Sequence, residues 1–369
     1  MPEESRGEAP RAPRESPQTP PAPPSAPLLE RRARLRRRFR ATLCAFGLLA
    51  PTAALGLLEL AARARPELSS YTVFRVHPEM GIFHPVPNQR LVDYSNPAYP
   101  HWVVTDAEGF RVVRAAPSPR DAPPLGVLAL GDSFTFGFAV SGEFTYPQAL
   151  QRLLETEVAA RRRVAVVNGG NVWQTIDQER AIYDHLNRKR AFDYVVLGYC
   201  AHNDIPEQAT ISVRKQSPLA SPLFAFAATH SALVRAASKG RFTAFGIPAA
   251  RAAVAAGDQR VRENWRWYER RYEERFTALL DAVRARGQRF AVLCFYPPGG
   301  RDARPARFIR ELCRRLGVDF LPLKLEPAHY LRFDPHLSPL GNAYVARTVA
   351  EWVQAEERTR PSATRAAPH

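Results

Sequence analysis

Five short apolar segments alternate with longer amphipathic segments in the C-terminal part of the chain. Each has four to seven residues with little polar interruption, as is typical of strands buried on both faces of a sheet. They are Gly126–Leu130, Val164–Asn168, Asp193–Tyr199, Phe290–Tyr296 and Val318–Leu321. Strands separated by helices need crossover connections. The pattern therefore predicts an α/β fold of three layers, α/β/α, with a five-stranded parallel sheet.

The segments between these strands have helical periodicity. Helices are predicted at Tyr146–Ala160, Thr175–Arg190, about 258–286, Arg304–Leu316 and about 339–356. Residues 205–257 interrupt the alternation with mixed apolar character, so we interpret them as an insertion. The predicted domain covers residues 125–358, and residues 359–369 are predicted to be a disordered tail.

An apolar segment near the N-terminus predicts a transmembrane helix. Residues 41–62 carry a single charge, Glu59, and about 20 apolar residues suffice to cross a bilayer. Seven arginines lie between residues 31 and 40, whereas Arg63 and Arg65 follow the segment. This asymmetry predicts a cytoplasmic N-terminus, with the domain outside the cytoplasm, which is the periplasm in a Gram-negative cell. A cleaved signal peptide is the main alternative, because residues 62–64 have the small-x-small form.

Two further segments flank the predicted span. Residues 1–40, rich in proline and arginine, are predicted to be a disordered cytoplasmic tail. Residues 65–124 form a loop-rich leader that we expect to pack on the domain.

The formal net charge of +16 does not indicate nucleic-acid binding. Only four of the 52 basic residues are lysines, and no zinc-finger spacing or aromatic RNA-binding signature accompanies the arginines. The four cysteines match no metal site and no disulfide framework. Outside the cytoplasm, Cys200 and Cys294 are a candidate pair, because they end neighbouring predicted strands.

The first predicted strand runs directly into Gly131-Asp132-Ser133. Reactive groups collect at the carboxyl ends of parallel strands, so Ser133 is placed where a nucleophile is expected. Its backbone N–H can also face a developing oxyanion. The alternative reading is a turn serine that caps the next helix.

A nucleophilic serine needs a base that is oriented by a carboxylate. Asp334 and His336 stand two residues apart just before the last predicted helix, in a loop that prolines stiffen. We interpret His336 as the base and Asp334 as the group that orients its ring. An ordinary surface Asp–His loop is the competing interpretation.

Two other strand ends supply candidate oxyanion donors. Asn203 follows the third strand, where its amide can donate to a tetrahedral oxyanion, whereas His202 beside it is not assigned as a base. The second strand ends in a glycine-containing turn, residues 167–175, whose backbone N–H groups are further candidates.

Together these segments resemble the SGNH hydrolases, also called GDSL-like lipases and acylhydrolases. The family's serine block matches Gly131-Asp132-Ser133, its asparagine block matches Asn203-Asp204, and its last block matches Asp334 and His336. The family's second-block glycine, whose N–H is an oxyanion donor, falls on Trp173 by counting from Asn168, or alternatively on Gly170. The resemblance implies a flavodoxin-like fold and no metal or organic cofactor.

The leader also resembles that of membrane-anchored bacterial members, with Gly109, Phe110 and Arg111 in a matching strand. Arg111 is expected to form a structural salt bridge, with a substrate contact as the alternative.

The expected function is hydrolysis of carboxylic esters through an acyl-serine. Placement outside the cytoplasm suggests esters of cell-envelope carbohydrate or lipid as substrates. Two alternatives remain open: an O-acyltransferase that moves the acyl group onto a polysaccharide, and a catalytically inactive envelope-binding module.

Overall fold

The structure is a computed structural model that describes most of the chain. The described residues are 26–115, 124–158, 162–206, 208, 221–241, 259–296 and 303–359. Two compact units, residues 1–57 and residues 58–369, divide the chain, and each is described by itself. The second unit contains the sheet and all the predicted site residues.

The central sheet has five parallel strands in the order β6-β5-β7-β8-β9. The strands are β5 (Pro124–Gly131), β6 (Arg163–Gly170), β7 (Tyr194–Cys200), β8 (Arg289–Phe295) and β9 (Asp319–Leu321). In order of appearance this is 2-1-3-4-5, the flavodoxin-like arrangement. The predicted α/β fold with a five-stranded parallel sheet is confirmed.

Helices cover both faces of the sheet because the side chains of each strand alternate between two cores. Leu128 and Leu130 of β5 belong to one core, and Val127 and Ala129 belong to the other. The first core includes helices α5 (Ile176–Asn187), α8 (Trp265–Ala285) and α9 (Arg304–Leu316). The second includes α4 (Tyr146–Val158) and α10 (Pro339–Thr359).

This alternation also determines whether the candidate disulfide between Cys200 and Cys294 can form. Cys294 lies in the first core and Cys200 in the second, so the two thiols are on opposite faces of the sheet. Neither cysteine forms a disulfide, and both are buried. The proposed pairing is therefore wrong.

Helix α1 runs from Ala26 to Arg63. The prediction that the disordered tail reaches residue 40 is therefore wrong for residues 26–40, where arginine, leucine and alanine favour a helix. Residues 1–25 lie outside the described part. By length and composition, the helix over residues 30–63 can cross a membrane, because an 18-residue window within it has a mean hydropathy of 1.8. A signal sequence passes the same test.

The leader contains short elements that its loop-rich sequence did not predict. After helix α2 (Pro66–Ser69), β1 (Phe74–Val76) pairs antiparallel with β2 (Phe83–Pro85). Strand β3 (Arg90–Asp93) pairs in the same way with β4 (His101–Val104). Both hairpins precede β5, the first strand of the central sheet along the chain.

Three further parts complete the described chain. A one-turn helix, α3 (Ser133–Phe136), follows β5. The described part of the insertion contains α6 (Pro222–His230) and α7 (Ala232–Arg241). Strands β10 (Tyr330–Leu331) and β11 (Asp334–Leu337) form a hairpin before α10. The predicted C-terminal tail beyond residue 359 lies outside the described residues.

Candidate active site

Ser133 begins helix α3, immediately after the end of β5. The side chain of Asp132 caps this helix by accepting the N–H of Phe134 at 2.9 Å. Gly137 ends the helix with a left-handed backbone, φ +81°. A Cβ at Gly131 would lie 2.3 Å from Thr135 Oγ1, so only glycine lets the helix turn back this closely onto the strand.

The structure brings Ser133, His336 and Asp334 together at the carboxyl edge of the sheet. Ser133 Oγ lies 2.8 Å from His336 Nε2. On the other side of the ring, Nδ1 lies 2.5 Å from Asp334 Oδ1. With its proton on Nδ1, the imidazole donates to Asp334, so its Nε2 accepts from the Ser133 hydroxyl. Such an arrangement can pass the serine proton to the ring when the oxygen attacks.

The carboxylate of Asp334 is held from three directions. Its Oδ1 also accepts the backbone N–H of His336 at 2.9 Å, and its Oδ2 accepts Asn96 Nδ2 at 2.7 Å. Partial burial raises the pKa of Asp334, but the hydrogen bonds from His336 and Asn96 and the coulombic effect of His336 outweigh it, so the net pKa is below its usual value. Asp334 is therefore ionised at neutral pH.

Asn96 was missed by the sequence reasoning. It lies in the leader, 238 positions before Asp334, and no local pattern connects the two. The neighbouring Tyr99 hydroxyl accepts the backbone N–H of Phe333 at 3.2 Å, so the leader fixes the backbone beside Asp334 as well.

Two phenylalanine rings lie against the imidazole of His336. The ring centroids of Phe134 and Phe138 are 5.0 and 4.9 Å from that of His336. Both phenylalanines stand close to Ser133 in the chain, and their spacing gave no sign of this role. The rings limit how far the imidazole can rotate away from the serine.

The structure places Asn203 at the same edge through its contact with Asp132. Asn203 Nδ2 donates to Asp132 Oδ2 at 2.8 Å. An amide nitrogen carries two N–H groups, so this bond orients the side chain and leaves the second N–H for another acceptor. His202, which was not assigned as a base, has its Nδ1 3.2 Å from Cys200 Sγ.

The structure separates the two candidates, because Gly170 is the last residue of β6 and Trp173 lies in the turn that follows. The N–H of Gly170 donates to Asn168 Oδ1 at 3.0 Å, so it is engaged and is not an oxyanion donor in this structure. A Cβ at Gly170 would lie 2.3 Å from Phe136 N, which gives this glycine a packing role. Trp173 has φ +57° and is 49% exposed. A left-handed backbone is the conformation that glycine favours, in accord with the match of Trp173 to the family's glycine.

Arg111 contacts backbone carbonyls and not a carboxylate in the described structure, and the alternative of a substrate contact stays a prediction. Its guanidinium is buried and donates to four backbone carbonyls, those of Trp102, Phe136, Gly137 and Val140, at 2.5–2.9 Å. Burial lowers the pKa of Arg111 to about 10, which leaves it charged at neutral pH. The expectation of a salt bridge is wrong, because carbonyl oxygens replace the carboxylate. Arg111 ties the leader to the loop that follows the nucleophile helix.

A model of a GDSL-like lipase/acylhydrolase family matches residues 129–344, more than half of the chain. A search of curated proteins gave no match. Among solved structures, the chain is similar to TesA at 13% identity and a TM-score of 0.40, over 62% of this chain and 98% of that one.

Two further similar structures come from named bacteria. A catalytic mutant of the acetylxylan esterase Axe2 from Geobacillus stearothermophilus has 15% identity and a TM-score of 0.37, with 63% of this chain and 95% of that one covered. A lipase/acylhydrolase from Enterococcus faecalis has 13% identity and a TM-score of 0.37, with coverage of 63% and 96%.

Proposed function

Because the chain belongs to the GDSL-like lipase/acylhydrolase family, we propose that it is a serine esterase that cleaves carboxylic esters through an acyl-serine intermediate. The observation that carries the proposal is the continuous contact from Ser133 Oγ through the His336 ring to Asp334, at 2.8 and 2.5 Å. In this arrangement the imidazole can take the proton of the serine hydroxyl directly, so no other residue has to move for the serine to be activated.

In the proposed reaction, Ser133 Oγ attacks the ester carbonyl carbon while His336 Nε2 takes the hydroxyl proton. Asp334 stabilises the imidazolium that results. The oxyanion accepts hydrogen bonds from the N–H groups of Ser133 and Trp173 and from the second N–H of Asn203 Nδ2. His336 then protonates the leaving alcohol, and water releases the acid by the same steps in reverse order.

The proposed location follows from helix α1. Its apolar part is taken to cross the membrane, with the arginines of residues 31–40 on the cytoplasmic side and the catalytic domain in the periplasm. The substrates proposed are esters of envelope carbohydrate or lipid, and the support for them is this location alone.

A fluorophosphonate probe tests the proposed nucleophile on the full chain. We expect the probe to label the protein and Ser133→Ala to abolish labelling. The same variant should lower turnover of p-nitrophenyl esters by at least ~10³-fold. Ser141→Ala is the matched control, since its hydroxyl accepts the N–H of Trp102 and does not contact the triad residues. Equal labelling or turnover of wild type and Ser133→Ala would contradict the proposal, and product analysis with a sugar acceptor separates hydrolysis from acyl transfer.

A further inference from the structure

The insertion helix α6 is apolar on all sides over residues 222–228. Its inner face packs on the leader, where Ala225 and Ala228 are buried in a small cluster with Val73. Its outer face carries Leu223 and Phe226, which are 78% and 64% exposed. Single exposed apolar residues are common on soluble proteins, so exposure alone does not show that this face binds anything.

The insertion also contacts the C-terminal end of α1. Glu59, the one charge in the predicted span, accepts the backbone N–H groups of Ala232 and Leu233, each at 2.9 Å. It also accepts the hydroxyl of Ser231 at 2.7 Å. These N–H groups open helix α7 and have no partner within the helix, so Glu59 acts as its cap. The end of α1 and the insertion are thereby joined.

A second contact strengthens this junction from the leader. Arg235 of α7 donates through Nε to the carbonyl of Ser69 at 2.5 Å, and Ser69 Oγ donates to the carbonyl of Ala62 at 2.8 Å. The last turn of α1, the start of the leader and α7 thus form one hydrogen-bonded group.

The junction sets how far the apolar face lies from the end of the span. Phe226 stands five residues before Ser231, about 7.5 Å along a helix at ~1.5 Å per residue. Helices that lie on membranes bury their apolar side chains at the boundary between headgroups and acyl chains. If α1 leaves the bilayer near Glu59, Phe226 therefore lies close to the point where the span ends.

Exposed arginines at the same end of α1 fit a lipid surface. Arg63 pairs with Glu59 at 2.8 Å and Arg65 with Glu67 at 3.7 Å, but the two arginine side chains are still 62% and 70% exposed. Leu68, just beyond them, is 51% exposed. Arginines beside exposed apolar residues match lipid phosphates above acyl chains.

We infer that α6 lies in the membrane interface, with Leu223 and Phe226 among the lipid acyl chains, and that the insertion holds the catalytic domain against the bilayer. This inference rests on the proposed membrane anchor. The partner is the lipid surface itself, because the exposed face lies beside the end of the span and the nearby cations suit phosphate.

Depth-dependent quenching on the full chain tests the inference. The protein is reconstituted in phosphatidylcholine–phosphatidylglycerol vesicles that contain doxyl-labelled lipids, and an NBD fluorophore is attached to one cysteine at a time. Native Cys44 is exposed and reports on the anchor, whereas the other three cysteines are buried. Phe226→Cys, in a Cys44→Ala background, reports on α6. Arg314→Cys, at a side chain that is 73% exposed on α9, is the control.

We expect NBD at residue 226 to lose most of its emission to doxyl lipids, as at Cys44, whereas NBD at residue 314 keeps its emission. Leu223→Cys, on the same face, should repeat the result. Quenching at Cys44 without quenching at 226 and 223 would overturn the inference and leave the anchor intact, and the face would then suit a protein partner. Absence of quenching at Cys44 would overturn the anchor and the inference with it, while the esterase proposal is tested separately by probe labelling of Ser133.

Discussion

Asn96 donates to Asp334 through Nδ2 and accepts the N–H of Ala98 through Oδ1, so it acts on the proposed triad through Asp334 and is a positioning residue. We expect Asn96→Ala to lower kcat by about 10- to 100-fold with KM little changed, because a hydrogen bond to a charged group contributes about 1.5–3 kcal/mol. Steady-state kinetics on a soluble ester measures this. Asn88→Gly is the control, at another leader asparagine whose φ of +56° glycine adopts without strain. A fall in kcat/KM that comes only from KM would contradict the role.

Asn96→Asp gives a test that depends on charge. A second carboxylate beside Asp334 Oδ2 disfavours ionisation and raises the pKa of Asp334. The acid limb of the pH–rate profile should therefore move to higher pH than in the wild type and in Asn96→Ala. An unchanged acid limb would show that residue 96 does not sense the charge on Asp334.

Trp173 combines a large side chain with a left-handed backbone, φ +57°. Trp173→Gly and Trp173→Ala both remove the indole and keep the N–H, so their difference isolates the backbone. We expect the glycine variant to be more stable than the alanine variant by about 1 kcal/mol, since only glycine adopts this conformation without strain. Urea unfolding of the two variants measures the difference, and an alanine variant of equal or greater stability would contradict it.

Among single residues, the sequence predicted those that stand in short local motifs at the ends of elements. Ser133 directly follows a strand, and Asp334 and His336 directly precede the last helix, so topology alone brings them to one edge of the sheet. Asn96 and Phe138 were not predicted because their contacts come from tertiary packing. The position of Gly170 in the strand-end turn was visible, but not that the Asn168 side chain engages its N–H.

At the scale of elements, Arg111 joins the leader to the loop after α3. Lysine keeps the charge but cannot present the planar fork that reaches four carbonyls. We expect Arg111→Lys to lower the free energy of unfolding by about 3 kcal/mol or more, because buried carbonyls then lack donors. Urea unfolding measures this, with the exposed Arg114 as the matched control through Arg114→Lys. Similar losses in both variants would contradict the role of the buried network.

The elements of the sheet were predicted well because each strand is a continuous apolar run. The ends of all five strands lie within two residues of the predicted ones, and α9 was predicted without error. The leader hairpins were not predicted, since strands of three or four residues have too little alternation to detect. The helix over residues 26–40 was not predicted because a dense run of arginines is also typical of a disordered tail, although arginine, leucine and alanine favour a helix.

At the scale of the whole second unit, the leader docks on α5 through a polar cluster with histidine at its centre. Glu108 Oε2 lies 2.6 Å from His185 Nε2 and accepts Lys189 Nζ at 2.8 Å. His84 is buried beside this cluster, 4.6 Å from the Phe110 ring centroid. Burial, with the neighbouring His77 and His185, lowers the pKa of His84 to about 3.

This pKa predicts acid sensitivity. Between pH about 6.5, where an unfolded histidine titrates, and pH about 3, the unfolded chain binds a proton that folded His84 does not. The free energy of unfolding should therefore fall as the pH drops through this window, by up to ~1.4 kcal/mol per pH unit from this group. Above about pH 6.5, His84 adds no pH dependence to the free energy of unfolding.

Urea unfolding at several pH values compares the wild type with His84→Gln. The variant should show a shallower loss of stability below pH about 6.5, because the titrating ring is gone. His230→Gln, at an exposed histidine, should keep the slope of the wild type. Identical slopes in all three proteins would show that His84 does not set the acid sensitivity.

The hydrogen bond between Asn96 and Asp334 also bears on the synthesis of the chain, because 238 positions separate the two residues. At ~5–20 residues per second, a ribosome needs on the order of 10–50 s to make the intervening chain. Ser133 and His336 are 203 positions apart, so for most of that interval the growing polypeptide carries Ser133 without its base. In the proposed esterase, the serine can therefore gain its base and become reactive toward esters only after residue 336 has been made.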